Sequence, residues 1–350
     1  MKKIISLFVA MILATGLVTG CGSKTAEGTD DSKKLTIVTT IFPEYDWVKN
    51  ILGDNPAKAE VTMLLDNGVD LHSYQPTAED IMKISSCDMF VYVGGESDEW
   101  VEDALKEATN KDMIVINLLE SLGDSVKEEE IVEGMQEEEH HHEDGDEDEH
   151  EHDEDEDEHD HEHDHEHEEE ETEYDEHVWL SLKNAVAVTE TLSAKISSLD
   201  PANSDIYKAN TEAYVSKLKD LDNRYEEAVS ESPVKTLLFG DRFPFRYLTD
   251  DYGLKYYAAF VGCSAETEAS FETITFLSSK ADELSLNAVM TIEGADHRIA
   301  ETIVDNTASK DLKILTMDSM QSTTSKDVSE GASYYSIMES NLATLKEALK

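Results

Sequence analysis

Histidine is the residue whose placement in this chain points most directly to chemistry. Of thirteen copies, ten fall in one acidic run: His140, His141, His142, His150, His152, His159, His161, His163, His165 and His167. Between Glu137 and Glu176 there is no Lys or Arg, and carboxylates alternate with imidazoles. Neutral imidazole beside carboxylate suits zinc, nickel or copper, and this spacing allows many interchangeable two- and three-ligand arrangements. So polar a segment cannot bury a core, so disorder without metal is expected. The run therefore reads as an auxiliary, exchangeable metal loop, with the main site elsewhere.

Three histidines remain. His72 lies in Asp70-Leu71-His72-Ser73-Tyr74-Gln75-Pro76, after an expected strand, where ligands of α/β sheets gather. His177 lies in Asp175-Glu176-His177-Val178-Trp179-Leu180, just before an expected helix. His297, at another helix start, reads as a polar surface residue. Apart from Cys21, only Cys87 and Cys263 are present, too few for a disulfide scaffold or a thiolate cluster. Metal chemistry is thus expected from imidazoles and carboxylates. Outside the acidic run, no H-E-x-x-H pair, G-x-S-x-G elbow or phosphate-cradling glycine loop stands out, so no enzyme is expected. A net charge of −51 over 350 residues repels phosphates and argues against nucleic acid.

The elements that must position these residues follow from pattern. Lys2 and Lys3 precede an apolar run from Ile4 to Val18, closed by Thr19-Gly20-Cys21. That run is short for a bilayer span and fits a secretory signal over residues 1–20. Cys21 after small residues resembles a lipobox, which implies acylation of Cys21 and a polar tether over 21–33. Strands are expected at Leu35–Thr40, Ala59–Leu65, Met89–Gly94 and Met113–Leu118, with helices at Tyr45–Leu52, Ala78–Ile84 and Glu99–Ala108. After the acidic run, Lys183–Leu199 reads as a helix, and Asp200-Pro201 signals the start of another reaching about Val229. At about 1.5 Å per residue it would be roughly 40 Å long, a strut able to join two lobes. Four further strands, Thr236–Gly240, Tyr256–Val261, Ala288–Glu293 and Lys313–Asp318, alternate with helices at Phe271–Leu284, Arg298–Thr307 and Tyr334–Leu349. The expected fold is α/β: two four-stranded parallel lobes joined by a long helix, with a metal cleft between them. The expected domains are a first lobe over 34–182 with an insertion at about 134–173, a helical linker over 183–232, and a second lobe over 233–350.

Two stretches carry a resemblance. Leu71-His72-Ser73-Tyr74-Gln75-Pro76, with Asp80 closing it, is similar to a D-P-H-x-Y-x-P-x-x-x-D motif, Leu71 replacing the proline. His177-Val178-Trp179-Leu180-Ser181-Leu182-Lys183-Asn184 is similar to H-x-W-L-D-P-x-N. Both belong to the substrate-binding lipoproteins of zinc/manganese ABC transporters, and Ile37–Trp47 resembles that family's first strand and turn. The resemblance implies a monomer, lipid-anchored on the extracellular face, that passes one divalent cation to a permease and ATPase. It implies a Zn2+ site, with Mn2+ as alternative, built from His72, His177 and Asp318. A further second-lobe histidine or glutamate is implied, but its position carries Arg242, a permanent cation that cannot ligate metal. Asp241, Glu268 and Glu293 are the candidates to replace it. A surface adhesin or metal-sequestering lipoprotein without a transporter is the alternative function. The long helix is expected to limit lobe motion, leaving release to local loop rearrangement.

Overall fold

A run of apolar residues covered on both faces favours a parallel strand, and the inner strands of the two parallel sheets here are such runs, while the outer strands are partly exposed. A computed structural model describes residues 34–136, 173–264, 267–294 and 296–350. The expected signal peptide, the tether with Cys21, and the ten histidines of the acidic run lie outside the described residues. The first lobe comprises β1 (Thr36–Thr39), α1 (Phe42–Leu52), β2 (Glu60–Met63), α2 (Ala78–Ser86), β3 (Met89–Tyr92), α3 (Trp100–Lys106), β4 (Ile114–Asn117) and α4 (Leu118–Leu122). Two helices follow, α5 (Leu182–Leu199) and α6 (Ser204–Glu231). The second lobe begins with β5 (Thr236–Phe243), α7 (Arg246–Tyr252), β6 (Lys255–Val261) and α8 (Phe271–Glu283). It ends with β7 (Ala288–Ile292), α9 (Arg298–Asn306), β8 (Lys313–Met317), α10 (Ser325–Ser329) and α11 (Tyr334–Ala348).

Both sheets are parallel and share one order, β2-β1-β3-β4 in the first lobe and β6-β5-β7-β8 in the second. That order changes direction between β1 and β3, and between β5 and β7, so each lobe offers a crevice at its carboxyl ends. The expected α/β fold with two parallel four-stranded lobes is the fold observed. Three short helices, α4, α7 and α10, have no counterpart in the expectation. At five to seven residues they are too short to display a helical period. Helix α1 starts at Phe42, earlier than the expected Tyr45. There the Glu44 carboxylate turns back to accept from the backbone N–H groups of Thr40 (2.8 Å) and Ile41 (3.3 Å), and Pro43 fits the first turn.

Pro201 opens a single 3-10 turn, Pro201–Asn203, before α6 proper. Helix α6 has 28 residues, roughly 42 Å at about 1.5 Å each. Its buried stripe includes Tyr207, Tyr214, Leu218, Leu221 and Tyr225. The amino-terminal half is tied to α1: Asn210 Nδ2 donates to the Ile51 carbonyl (3.0 Å), and the Tyr214 hydroxyl to Asp46 (3.3 Å). The carboxyl-terminal half is tied to α11, where the Tyr225 hydroxyl donates to the Met338 carbonyl (2.6 Å) and Arg224 pairs with Glu339 (2.7 Å). One helix thus bolts both lobes, and one hydrophobic core runs from α1 through α5 and α6 to α11.

A second crossing lies beside the acidic run. Lys127 N donates to the Tyr247 hydroxyl (3.0 Å), and Gln136 N to the Ala259 carbonyl on β6 (2.9 Å). The returning chain pairs with the outgoing one through Glu129 N to the Glu173 carbonyl and Asp175 N to the Lys127 carbonyl, both 2.9 Å. Among the described residues, no helix is long and apolar enough to cross a membrane.

Candidate metal centre

The same local device holds each first-lobe histidine. Asp70 Oδ1 accepts from both His72 N (3.1 Å) and the His72 ring Nδ1 (2.6 Å). Asp175 Oδ1 accepts from both His177 N (2.9 Å) and the His177 ring Nδ1 (3.0 Å). A carboxylate two residues upstream therefore caps the turn and sets the tautomer, which makes Nε2 the lone-pair nitrogen; that of His72 has no hydrogen-bond partner, and that of His177 faces Gln321. The two rings lie side by side, their centroids 5.2 Å apart.

The rest of each motif braces its loop. The Tyr74 hydroxyl, Thr77 N and Thr77 Oγ1 all donate to Asp80, in the first turn of α2. Trp179 lies against His177 and donates from Nε1 to the Ser319 carbonyl (2.8 Å), while Ser181 caps α5. His177 is fully buried, and His72 exposes 11% of its side chain.

A third donor arrives from the second lobe, and it is a thiol. One donor atom from each of His72, His177 and Cys263 lies within 4.8 Å of the other two. Cys263 occupies the turn after β6, and Gly262 brings it close: a Cβ on Gly262 would stand 2.9 Å from His177 Cε1. Burial pushes the Cys263 thiol well above its ordinary value, and the charges of Glu176, Glu129 and Asp175 add to this. Without a cation the group is a protonated thiol.

Glu176 sits beside them, 2% exposed. Its Oε1 accepts from Ser97 N (2.8 Å). Its Oε2 has no hydrogen bond and stands 3.7 Å from His72 Nε2, which also has none. Gly95, at φ 82°, makes room: a Cβ there would meet Glu176 Oε1 at 2.3 Å. A cavity of about 440 Å³ reaches His72, Glu176 and Cys263, with Glu99, Glu129 and Glu173 on its walls. Behind Glu176, burial pushes Asp98 up to about 7; the Gly94 N–H opposes this and the Glu176 charge adds to it.

None of the second-lobe carboxylates belongs to this group of donors within 4.8 Å of one another. Asp241 accepts from Arg242 N (2.9 Å) and Ile292 N (3.2 Å), tying β5 to β7. Gly240 serves close packing of α9, since a Cβ there would meet Ala300 Cα at 2.6 Å. Glu293 accepts from Ser319 N (2.6 Å), Ser319 Oγ (2.7 Å) and Gln321 N (3.2 Å), holding the loop after β8. Asp318 accepts from Met320 N (2.8 Å); burial and then the Glu293 charge raise it to about 7. Glu268 is exposed on the approach to α8, and His297 is partly exposed before α9.

Arg242 pairs with the second oxygen of Asp70 and with Gln321 Oε1 (3.1 Å). Burial acts to raise the Asp70 carboxyl, but the His72 hydrogen bond and the Arg242 charge outweigh it and hold it well below the usual carboxylate range. Gln321 Nε2 in turn contacts His177 Nε2 at 2.5 Å. Arg242 is thus a brace for both histidines. Cys263, Gln321 and the bracing roles of Asp70, Asp175 and Glu176 were not foreseen, although the repeated Asp-x-His spacing was a visible signal.

Residues 37–348 match the family described as zinc-uptake complex component A, periplasmic. The chain belongs to this family. Among its relatives is the zinc-binding lipoprotein AdcA of Streptococcus pneumoniae, 31% identical over 349 residues, covering 99% of this chain and 61% of that protein. The chain therefore spans about three fifths of the length of that curated relative. The high-affinity zinc uptake system protein ZnuA of Bacillus subtilis is 30% identical over 335 residues, covering 95% of this chain and 94% of that protein. The crystal structure of the Zn(II)-bound ZnuA-like domain of S. pneumoniae AdcA superposes with a TM-score of 0.65 at 27% identity, covering 91% of this chain and 99% of that one. Within this zinc-uptake component family, the resemblance puts an imidazole or carboxylate where this chain has Arg242.

Proposed function

We propose that this chain captures Zn2+ between its lobes and delivers it to the permease and ATPase of an ABC importer, held at the extracellular face by a lipid on Cys21. The observation that carries the reading is the pair of imidazoles 5.2 Å apart, each with its Nδ1 held by an aspartate and with one donor atom of each within 4.8 Å of the other. That arrangement orients imidazole for a cation before one arrives. The acidic walls of the cavity attract cations, and the histidine-rich run feeding Glu173 would raise their local concentration. Capture and release require no turnover, so no enzymatic step is assigned.

Zinc titration against a competing chelator tests the reading. Deleting residues 137–171 is expected to leave one tight site per chain. In that background His72→Ala and His177→Ala should each weaken the site by roughly a hundredfold or more. Unchanged affinity in both variants would remove the first-lobe half of the site, and loss of the tight site on deletion would make the histidine run primary. Delivery is tested in cells: zinc uptake at scarce metal should fall when either this chain or the permease is removed.

A further inference from the structure

The family resemblance calls for a second-lobe donor at the position of Arg242, and a guanidinium cannot supply one. The donor is available one strand away. Strand β6 runs beside β5 with Phe260 opposite Arg242 and Val261 opposite Phe243, and the chain then turns through Gly262 to Cys263. The thiol comes within 4.8 Å of the donor atoms of His72 and His177. Zinc sits about 2.0–2.3 Å from nitrogen and sulfur, so tetrahedral donors stand roughly 3.5 Å apart. A contraction of about an ångström around an ion closes the difference.

A second observation points to the same spot. Glu176 is 2% exposed, yet its Oε2 makes no hydrogen bond, and the facing Nε2 of His72 makes none either. Buried polar atoms are rarely left unpaired, and two of them 3.7 Å apart beside a thiol mark a place where a cation belongs. The glycines on either side, Gly95 against Glu176 and Gly262 against His177, leave no room for side chains that would push these donors away.

We propose that Cys263 is a metal ligand, and that zinc is held by His72, His177 and the Cys263 thiolate, with the Glu176 carboxylate, which stands 3.7 Å from His72 outside that group of three, moving in to complete the shell. This deepens the metal-capture reading and rests on it. On binding, the S–H bond breaks, a sulfur–zinc bond forms, and the proton leaves through the acidic cavity to solvent. Two neutral imidazoles, one thiolate and one carboxylate make the filled site neutral, which suits its burial. Sulfur also decides the cargo, because thiolate favours zinc over manganese.

The test uses the full-length chain with cobalt(II) as a spectroscopic stand-in for zinc. The histidine-rich run contains no cysteine, so a near-ultraviolet sulfur-to-cobalt charge-transfer band reports only a thiolate ligand. The expected result is a band that saturates at one cobalt per chain in the unaltered protein and in Cys87→Ser, and is missing in Cys263→Ser. Zinc affinity should fall roughly a hundredfold in Cys263→Ser. Cys263→His, which offers an imidazole instead, should keep tight binding without the band, and guards against a serine variant that merely misfolds. A tight cobalt site with no sulfur band in the unaltered protein would overturn the proposal while leaving metal capture standing. Absence of any tight site would overturn the capture reading itself.

Discussion

Asp70 and Asp175 each use one oxygen to close a turn and to hold an imidazole, so turn geometry and ring orientation are set by the same atom. Asp70 carries a further load, since Arg242 grips its other oxygen. Removing Asp70 would free the His72 ring and leave the Arg242 guanidinium, bonded to the neutral Gln321, without a counter-charge beside a cation site. Asp70→Ala is therefore expected to weaken zinc binding by about 10–100-fold. The Asp70→Ala/Arg242→Ala double variant should recover part of that loss, because the repelling charge is gone. A chelator competition assay reads both, and a single variant as tight as the unaltered chain would show the brace to be idle. This residue scale was only partly legible in the sequence. His72 and His177 stood out because each sits in a loop with a distinctive context. Cys263 did not, because a lone cysteine after a strand has no spacing signal, and its partners lie far away in the chain. Arg242 was visible as a departure, but only the fold reveals that it braces Asp70 and Gln321.

At the scale of elements, the strands were legible because buried parallel strands are continuous apolar runs. Ala288–Ile292 is buried at every position. The long helix was legible from its stripe of tyrosines and leucines. The short α4, α7 and α10 were not, since a helix of two turns or fewer shows no period. The junction at Gly240 shows how packing decides what local reading leaves open. A glycine before Asp241 could have let the backbone swing that carboxylate toward a metal. Instead α9 presses on it, with Ala300 Cα 2.6 Å from where a Cβ would stand, and the register of β5 on β6 shifts between Phe239 and Arg242. The clash is with backbone, which cannot rotate away. Gly240→Ala is thus expected to destabilise the fold by about 1–3 kcal/mol, as overpacking does. A urea unfolding curve measures it, and a midpoint within error of the unaltered protein would mean α9 can retreat.

At the scale of the whole molecule, the chain combines a large negative charge with carboxyls buried in its core. Glu44 is wholly buried, its Oε1 has no hydrogen bond, and burial followed by the Asp98 charge pushes it up to about 8. Asp98, raised to about 7, acts in the same direction. A carboxyl whose value is raised by folding is stabilising in its protonated form. Its contribution is fully present below the unfolded value, near 4.5 for Glu44, and is lost as pH rises through about 8. Metal-free protein should therefore lose stability from pH 5.5 to pH 8, the reverse of ordinary acid denaturation, where salt-bridged carboxylates are neutralised. A tenfold change in proton affinity is worth about 1.4 kcal/mol, so Glu44 alone can account for a few kcal/mol of that decline. Glu44→Gln keeps an acceptor for Thr40 and Ile41 without an ionisable proton, and should flatten the decline and raise stability at pH 8. Urea midpoints at the two pH values, with chelator present to exclude zinc, measure the difference. Parallel declines in both proteins would mean that Glu44 titrates normally and that the loss arises in another buried carboxyl.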